Sequence, residues 1–175
     1  MRVDDNSPPP RTGLGGRLAV WLATGLGVGM VAPAPGTIGG LWGVPLAAAI
    51  SQWSPLGLQL AVMAVAVLLA VPVCQAAAQA LGDSGDPGAI ALDEIVALPL
   101  VFIGFPPLGW ATLAAGFLLF RLFDIWKPGL ARSAEKLPGG WGVVADDAVA
   151  ALGACIALHA LAWLDLAAGF DWLAA

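Results

Sequence analysis

Polar and apolar positions alternate along this chain in large blocks rather than residue by residue. Charged residues fall in four islands. Arg2, Asp4, Asp5, Arg11 and Arg17 form the first, and Asp83, Asp86, Asp93 and Glu94 the second. Arg121, Asp124, Lys127, Arg132, Glu135, Lys136, Asp146 and Asp147 form the third, and Asp165 and Asp171 close the chain. Between Arg17 and Asp83 lie 65 residues without a charge, between Glu94 and Arg121 another 26, and between Asp147 and Asp165 another 17. A hydrocarbon slab about 30 Å thick selects uncharged apolar stretches of this length. The pattern predicts an all-α integral membrane bundle, with a broken or re-entrant N-terminal helix and about four to five spanning helices.

The elements follow from the breakers inside the apolar runs. Residues 1–16 are polar, carry Pro8-Pro9-Pro10, and read as a disordered cytosolic tail. Residues 17–175 read as one membrane-embedded domain. The run from Arg17 to Val31 is interrupted by Ala32-Pro33-Ala34-Pro35-Gly36-Thr37-Ile38-Gly39-Gly40, a segment that ends a helix. Residues 18–35 are expected to form a re-entrant or interfacial half-helix, with 38–52 crossing. Broken backbone at membrane depth persists where it is buried in protein or lines a wet cavity, so this break is a candidate site wall. Leu58–Leu81 is the cleanest span. Residues 82–88 read as a loop. The Gly104-Phe105-Pro106-Pro107-Leu108-Gly109 turn divides the next run into helices of about 89–104 and 110–126. This hairpin returns Asp93 and Glu94 to the same membrane face as Asp124. A last helix is expected over about 142–164.

The loop from 127 to 140 carries Lys127, Arg132 and Lys136 against Glu135, a net of +2. Excess Lys and Arg mark the cytoplasmic side. The first three islands are therefore placed in the cytosol and the C-terminal tail outside. Trp53, Trp110, Trp163 and Trp172 fall near the outer ends, and Trp126 and Trp141 near the inner, as two interfacial belts would have them.

Composition sharpens the picture. The chain has 175 residues, of which 59% are apolar and 11% charged. An ordinary soluble domain has roughly 25% charged residues. The net charge of −5 leaves no basic footprint for nucleic acid. Ala32-Pro33-Ala34 looks like a cleavage site, but Pro35 would follow the cut and the apolar content runs on, so a signal peptide is rejected. Cys74 and Cys155 have no ligand-spaced neighbours and read as buried thiols. His159 reads as a packed histidine.

Asp93, Glu94, Asp124, Asp146 and Asp147 lie in apolar helical segments, where a carboxylate costs roughly 2.5–3.5 kcal/mol at mid-bilayer and less near the interface. A shared divalent cation would compensate them, and hard oxygen donors favour Mg²⁺. The alternative is ion pairing with Arg121 and Lys127. Arg121 and Asp124, three residues apart, share a helix face. Arg121 offers a bidentate fork to a phosphate and Lys127 a point charge. The glycine-rich turns at Pro35–Gly40 and Gly139–Gly142 would let the amides of Gly36 and Gly140 approach an anion, with the Thr37 hydroxyl beside them.

No histidine nucleophile is available, Cys74 lacks an arginine six residues on, and no Asp-x-Asp-x-Thr/Val run occurs. Metal-activated water attacking phosphorus remains. A small cation or phosphate transporter would also use intramembrane carboxylates and a broken helix, but the chain has no internal repeat and gathers its acids at one face. A CDP-alcohol phosphotransferase would need an Asp-Gly-x-x-Ala-Arg motif, which is missing.

Four ordered motifs carry a resemblance. They are Pro35-Gly36-Thr37-Ile38-Gly39, Gly88-Ala89-Ile90-Ala91-Leu92-Asp93-Glu94-Ile95-Val96, Phe120-Arg121-Leu122-Phe123-Asp124-Ile125-Trp126-Lys127-Pro128 and Gly139-Gly140-Trp141-Gly142-Val143-Val144-Ala145-Asp146-Asp147. With these motifs the chain resembles the phosphatidylglycerophosphatase A family of bacterial membrane lipid phosphatases. The resemblance implies Mg²⁺-dependent hydrolysis of the phospholipid phosphatidylglycerophosphate to phosphatidylglycerol and inorganic phosphate. It implies a multi-pass protein of the bacterial cytoplasmic (inner) membrane with its active site facing the cytosol. The family's acidic positions match Asp93, Glu94, Asp124, Asp146 and Asp147, and its basic positions match Arg121 and Lys127. On this reading Asp93, Glu94, Asp124 and Asp147 hold Mg²⁺, and Asp146 orients water or a second ion. Arg121, Lys127, Thr37, Gly36 and Gly140 bind the phosphate. No obligatory protein partner is evident.

Overall fold

The computed structural model describes residues 13–52, 55–82, 87–105 and 108–173. Among them all regular structure is helical. The chain runs through α1 (Leu14–Ala23), α2 (Val28–Val31), α3 (Pro35–Gly40), α4 (Gly43–Ser51) and α5 (Leu56–Leu81). It continues through α6 (Leu92–Ala97), a 3-10 segment (Leu98–Phe102), α7 (Trp110–Trp126), α8 (Leu130–Ala134) and α9 (Gly140–Ala167). The tail expected over 1–16 lies mostly outside the described residues, and its last part, from Leu14, already belongs to α1. Trp53, Asp83, Asp86 and the Pro106–Pro107 turn also lie outside them.

Two helices, α5 with 26 residues and α9 with 28, are long and apolar enough to cross a membrane. This is fewer than the four to five spans expected. The uncharged run after Arg17 does not make one half-helix followed by one crossing helix. It is cut into α1 to α4, the longest of which has 10 residues. After α1 the backbone turns through left-handed conformations at Gly25, Leu26 and Gly27. Thr24 absorbs the polar groups of that turn: its hydroxyl donates to the Val20 carbonyl at 2.8 Å and accepts from the Gly27 amide at 3.2 Å. Pro35 does not simply end a helix. It stands in the first turn of α3, where its missing N–H has no partner to lose. A turn at Leu41 and Trp42 then separates α3 from α4, so 38–52 is not a continuous crossing helix.

The helix expected over 89–104 is also shorter. It starts at Leu92 and passes into the 3-10 segment at Leu98, because Pro99 cannot donate to the α-helical ladder. The span over 58–81 and the helix over 110–126 are found within two residues of their expected ends. The last helix begins two residues earlier and ends three later than expected.

α9 is the axis of the molecule and packs on α5, α6, α7, α8 and the 3-10 segment. Its first half meets α5 and α6, with α1 packed on α5 in the same cluster, through small side chains such as Ala23, Ala70, Cys74, Ala77 and Val144. Its second half meets α7 and the 3-10 segment through Leu98, Val101, Phe102, Phe120, Ala154 and Leu158. Small residues let helices approach closely where apolar solvent gives no other drive to associate. Gly116 on α7 shows this, since a methyl there would collide with the Phe102 ring. The outer faces of α5, α7 and α9 carry exposed large apolar side chains, among them Leu69, Leu118, Ile156 and Trp163. Exposed apolar side chains of this size and number are suited to lipid rather than water.

Candidate active site

Glu94 is seated by glycines. α3 lies across α6 so that Gly39 faces Ala91, and Gly36 and Gly40, four residues apart on one face, face Glu94. A methyl at Gly36 would run into the Glu94 carboxylate, and one at Gly40 would come within 2.7 Å of Oε2. The Ala91 amide, donating to the Ala23 carbonyl at 2.8 Å, ties the start of α6 to the end of α1. Asp93 and Glu94 are both buried in the first turn of α6.

The last two turns of α7 bring the cations. Arg121 Nη1 lies 2.6 Å from Glu94 Oε2 and 2.9 Å from Asp124 Oδ2, so one guanidinium joins α6 to α7. Lys127 ends α7 in the left-handed region, at φ 44°. A side-chain-bearing residue adopts this conformation only when its surroundings hold it there. The turn carries Lys127 Nζ to 2.5 Å from Asp146 Oδ2 on α9 and 3.6 Å from Glu135 Oε1 after α8. Burial by itself would lower the Lys127 pKa. The hydrogen bond and attraction of Asp146, with Glu135 and Asp147 adding to them, outweigh burial and hold it above the usual lysine range.

Asp146 and Asp147 lie in the second turn of α9, and both are buried. The Asp147 carboxyl is within hydrogen-bonding contact of Asp124 and feels the charge of Asp93. Two carboxyls in contact repel unless something positive stands between them.

A cavity of about 270 Å³ collects these groups. Asp93, Glu94, Asp124 and Asp147 line it together with Arg121, Lys127, Gly36 and Thr37. Ala34, Pro35, Gly88 and Ile90 complete the wall. The hairpin expected to return Asp93 and Glu94 to the side of Asp124 does so. Two predicted residues stand elsewhere. Asp146 is not part of the lining but holds Lys127 from behind. Gly140 is not part of it either. Its amide donates to Gln75 Oε1 at 2.5 Å, and it has no Cβ because one would strike the Val71 carbonyl. The second glycine turn therefore packs α9 against α5 instead of presenting an amide to the cavity.

Sequence reasoning misses Gln75, and it counts Glu135 without giving it a partner. Gln75 is a polar side chain within an apolar span, which is the available signal, because such a group must find a partner in the bundle. Glu135 carries no comparable signal, and only the fold of α8 brings it to Lys127.

The region that holds the cavity is also the region in which the chain is similar to known proteins. The family described as Phosphatidylglycerophosphatase A matches residues 21–162, which include every lining residue of the cavity. The chain is 38% identical to a Haemophilus influenzae protein named Phosphatidylglycerophosphatase A, covering 80% of this chain and 86% of that one. It is 33% identical to the Escherichia coli protein of the same name, covering 74% of each. It is also 33% identical to a Bacteroides thetaiotaomicron protein named Putative phosphatidylinositol-3-phosphatase, covering 84% of this chain and 95% of that one. No solved structure matches the chain. With a match across most of its length and its acidic cavity inside the matched region, the chain belongs to the phosphatidylglycerophosphatase A family of lipid phosphatases.

Proposed function

We propose that this chain is a Mg²⁺-dependent phosphomonoester hydrolase that converts phosphatidylglycerophosphate to phosphatidylglycerol and inorganic phosphate. The observation that carries the reading is the single cavity in which four carboxylates from three helices meet one arginine and one lysine. The substrate is the one named for the Haemophilus and Escherichia relatives.

As the side chains stand, no three acidic groups among the described residues converge to hold a metal ion, and Arg121 takes up Glu94 and Asp124. The donor chemistry nevertheless suits a hard divalent cation. The metal-ligating side-chain atoms of the cavity are carboxylate and hydroxyl oxygens, and the Asp124 and Asp147 carboxyls are in hydrogen-bonding contact, a crowding of acids that a cation would relieve. Asp93, Glu94, Asp124 and Asp147 would hold the ion. When bound, it would neutralise charge on the transferring phosphoryl group and lower the pKa of a water.

The chain's own groups do the rest. Arg121 presents further N–H donors to phosphate oxygens, in the planar fork that matches them. Lys127 adds a charge kept positive by Asp146, which makes Asp146 a positioning residue. Thr37 donates a hydroxyl from α3. The site faces the cytosol of a bacterial cytoplasmic membrane, with α5 and α9 crossing it. The transporter alternative draws no support from the relatives, whose names are those of phosphatases.

The test is phosphate release by detergent-purified protein from phosphatidylglycerophosphate, with and without Mg²⁺. Release that needs Mg²⁺ is the expected result. Release undiminished by a chelator would remove the metal from the reading. A preference for phosphatidylinositol 3-phosphate would replace the substrate, as the Bacteroides relative's name suggests for that protein.

A further inference from the structure

α3 contributes to two cavities. Gly36 and Thr37 line the acidic one. Ile38, Leu41, Trp42 and Pro45, with Val28 from α2, line a second cavity of about 350 Å³ that carries no charged residue. Leu41 and Trp42 are each about half exposed. Trp42 lies against Gly25, whose left-handed backbone leaves room for the indole. Ile38 stands one helical turn beyond Ala34 and Pro35, and Leu41 one turn beyond Thr37, so the polar wall passes into the apolar one along the same faces of the helix. A third cavity, lined by Arg17, Trp21 and Met30 among others, has no lining residue adjacent in sequence to one of the acidic cavity.

We infer that the groove of Ile38, Leu41, Trp42 and Pro45 receives an acyl chain of the lipid whose phosphate occupies the acidic cavity. This rests on the lipid-phosphatase reading above. A phospholipid monoester joins an anionic headgroup to hydrocarbon within a few bonds. Its hydrocarbon, on leaving the headgroup site, needs an apolar surface continuous with that site, and α3 supplies one. A tryptophan at the mouth suits the boundary between headgroups and hydrocarbon. The groove would then use chain contacts to fix the phosphate against Arg121 and Thr37, so that α3 reads both ends of the ester.

A phosphatidylglycerophosphate bearing a photoactivatable diazirine on one acyl chain tests this in mixed micelles. Crosslinks mapped by mass spectrometry should concentrate on Ile38–Pro45, and a phosphatidylcholine with the same chain should not show that enrichment. Crosslinks spread evenly over the outer faces of α5 and α7 would overturn the inference. Ile38→Ser and Trp42→Ala supply the kinetic arm. Each should lower, by about tenfold, the ratio of kcat/KM for the long-chain substrate to that for its deacylated headgroup ester, the value of roughly two methylenes taken out of contact. A ratio within about twofold of wild type in both variants would also overturn it. Phosphate release with evenly spread crosslinks sinks the groove alone. Groove-centred crosslinks without phosphate release sink the phosphatase reading alone.

Discussion

The two ends of the α7–α9 pair are made differently from helices of similar apolar character. At one end Arg121 and Asp124 of α7 face Asp146 and Asp147 of α9, with Lys127 closing the group. At the other end Gly116 of α7 admits the Phe102 ring, and Leu158 of α9 is fully buried against the same cluster. There Phe105 stacks on His159 at 4.3 Å between centroids, and Thr112 donates to the Leu173 carbonyl at 3.0 Å. The first end buries charge and holds it with partners from several elements. The second buries volume and satisfies its few polar groups locally. Backbone distortion does not follow this division: positive φ occurs at Lys127, Gly129 and Gly139 near the charged end and at Gly104, Gly169 and Asp171 near the apolar end. Paired charge distinguishes the first end, and close packing the second.

The largest effect expected from breaking this contrast is on turnover. Glu94→Gln and Asp124→Asn keep the shapes of the side chains but remove anionic charge from the cavity. Phosphate release should fall by roughly a hundredfold or more, the scale of losing one charge-stabilising group from an active site. Circular dichroism and size-exclusion profiles should stay those of the parent. Near-parental turnover in both variants would remove these carboxylates from the chemistry.

Leu158→Ala attacks the other end. A buried Leu→Ala change costs roughly 2–5 kcal/mol. The midpoint of thermal unfolding in detergent should drop, while kcat of the folded fraction at low temperature is retained. A drop in kcat without loss of stability would show that the two ends are not separate.

Lys127→Met lies between these effects. It strands the Asp146 carboxylate, which is almost wholly buried. Lys127 is partly exposed, so the expected loss is about 2 kcal/mol, below the range for a fully buried pair. The pH dependence has a definite sign. Because the folded Lys127 pKa lies above the ordinary lysine value of about 10.4, the pair's contribution is complete below that value and lost only as pH rises through the higher folded one. The stability difference between parent and variant should therefore be flat from about pH 7 to 9. A difference that collapses within this window would contradict the pairing.

The smallest effect is expected from His159→Phe. His159 Nδ1 lies 3.0 Å from the Cys155 carbonyl and its ring rests on Phe105. Replacement should change stability by no more than about 1 kcal/mol and leave kcat unchanged. A large kcat loss would mean that the apolar end takes part in the reaction.

Much of the site was legible before the fold. The carboxylates stand out because little else in their apolar segments is charged, and a break between residues 104 and 109 suffices to predict that Asp93, Glu94 and Asp124 return to one side. The partners of Asp146 and Gly140 are not legible in the sequence, for the same reason in each case. Both belong to motifs that share a segment with the cavity's residues, but adjacency along α9 does not say which side of the helix each faces. Neighbouring residues on a helix point in directions about 100° apart. Asp147 turns into the cavity, whereas Asp146 turns to Lys127.

Hydropathy and charge spacing alone determined the helical class, where α5, α7 and α9 run, and that Asp93, Glu94, Asp124 and Asp147 come together. Those properties depend on runs of residues, and a run is visible in one dimension. Tertiary structure decided how many helices are long enough to cross a membrane. It also set the seating of Glu94 against Gly36 and Gly40 and the partners of Lys127 and Gly140. Each of these depends on which buried polar group meets which other across separate helices, and burial forces that pairing only once the helices have packed.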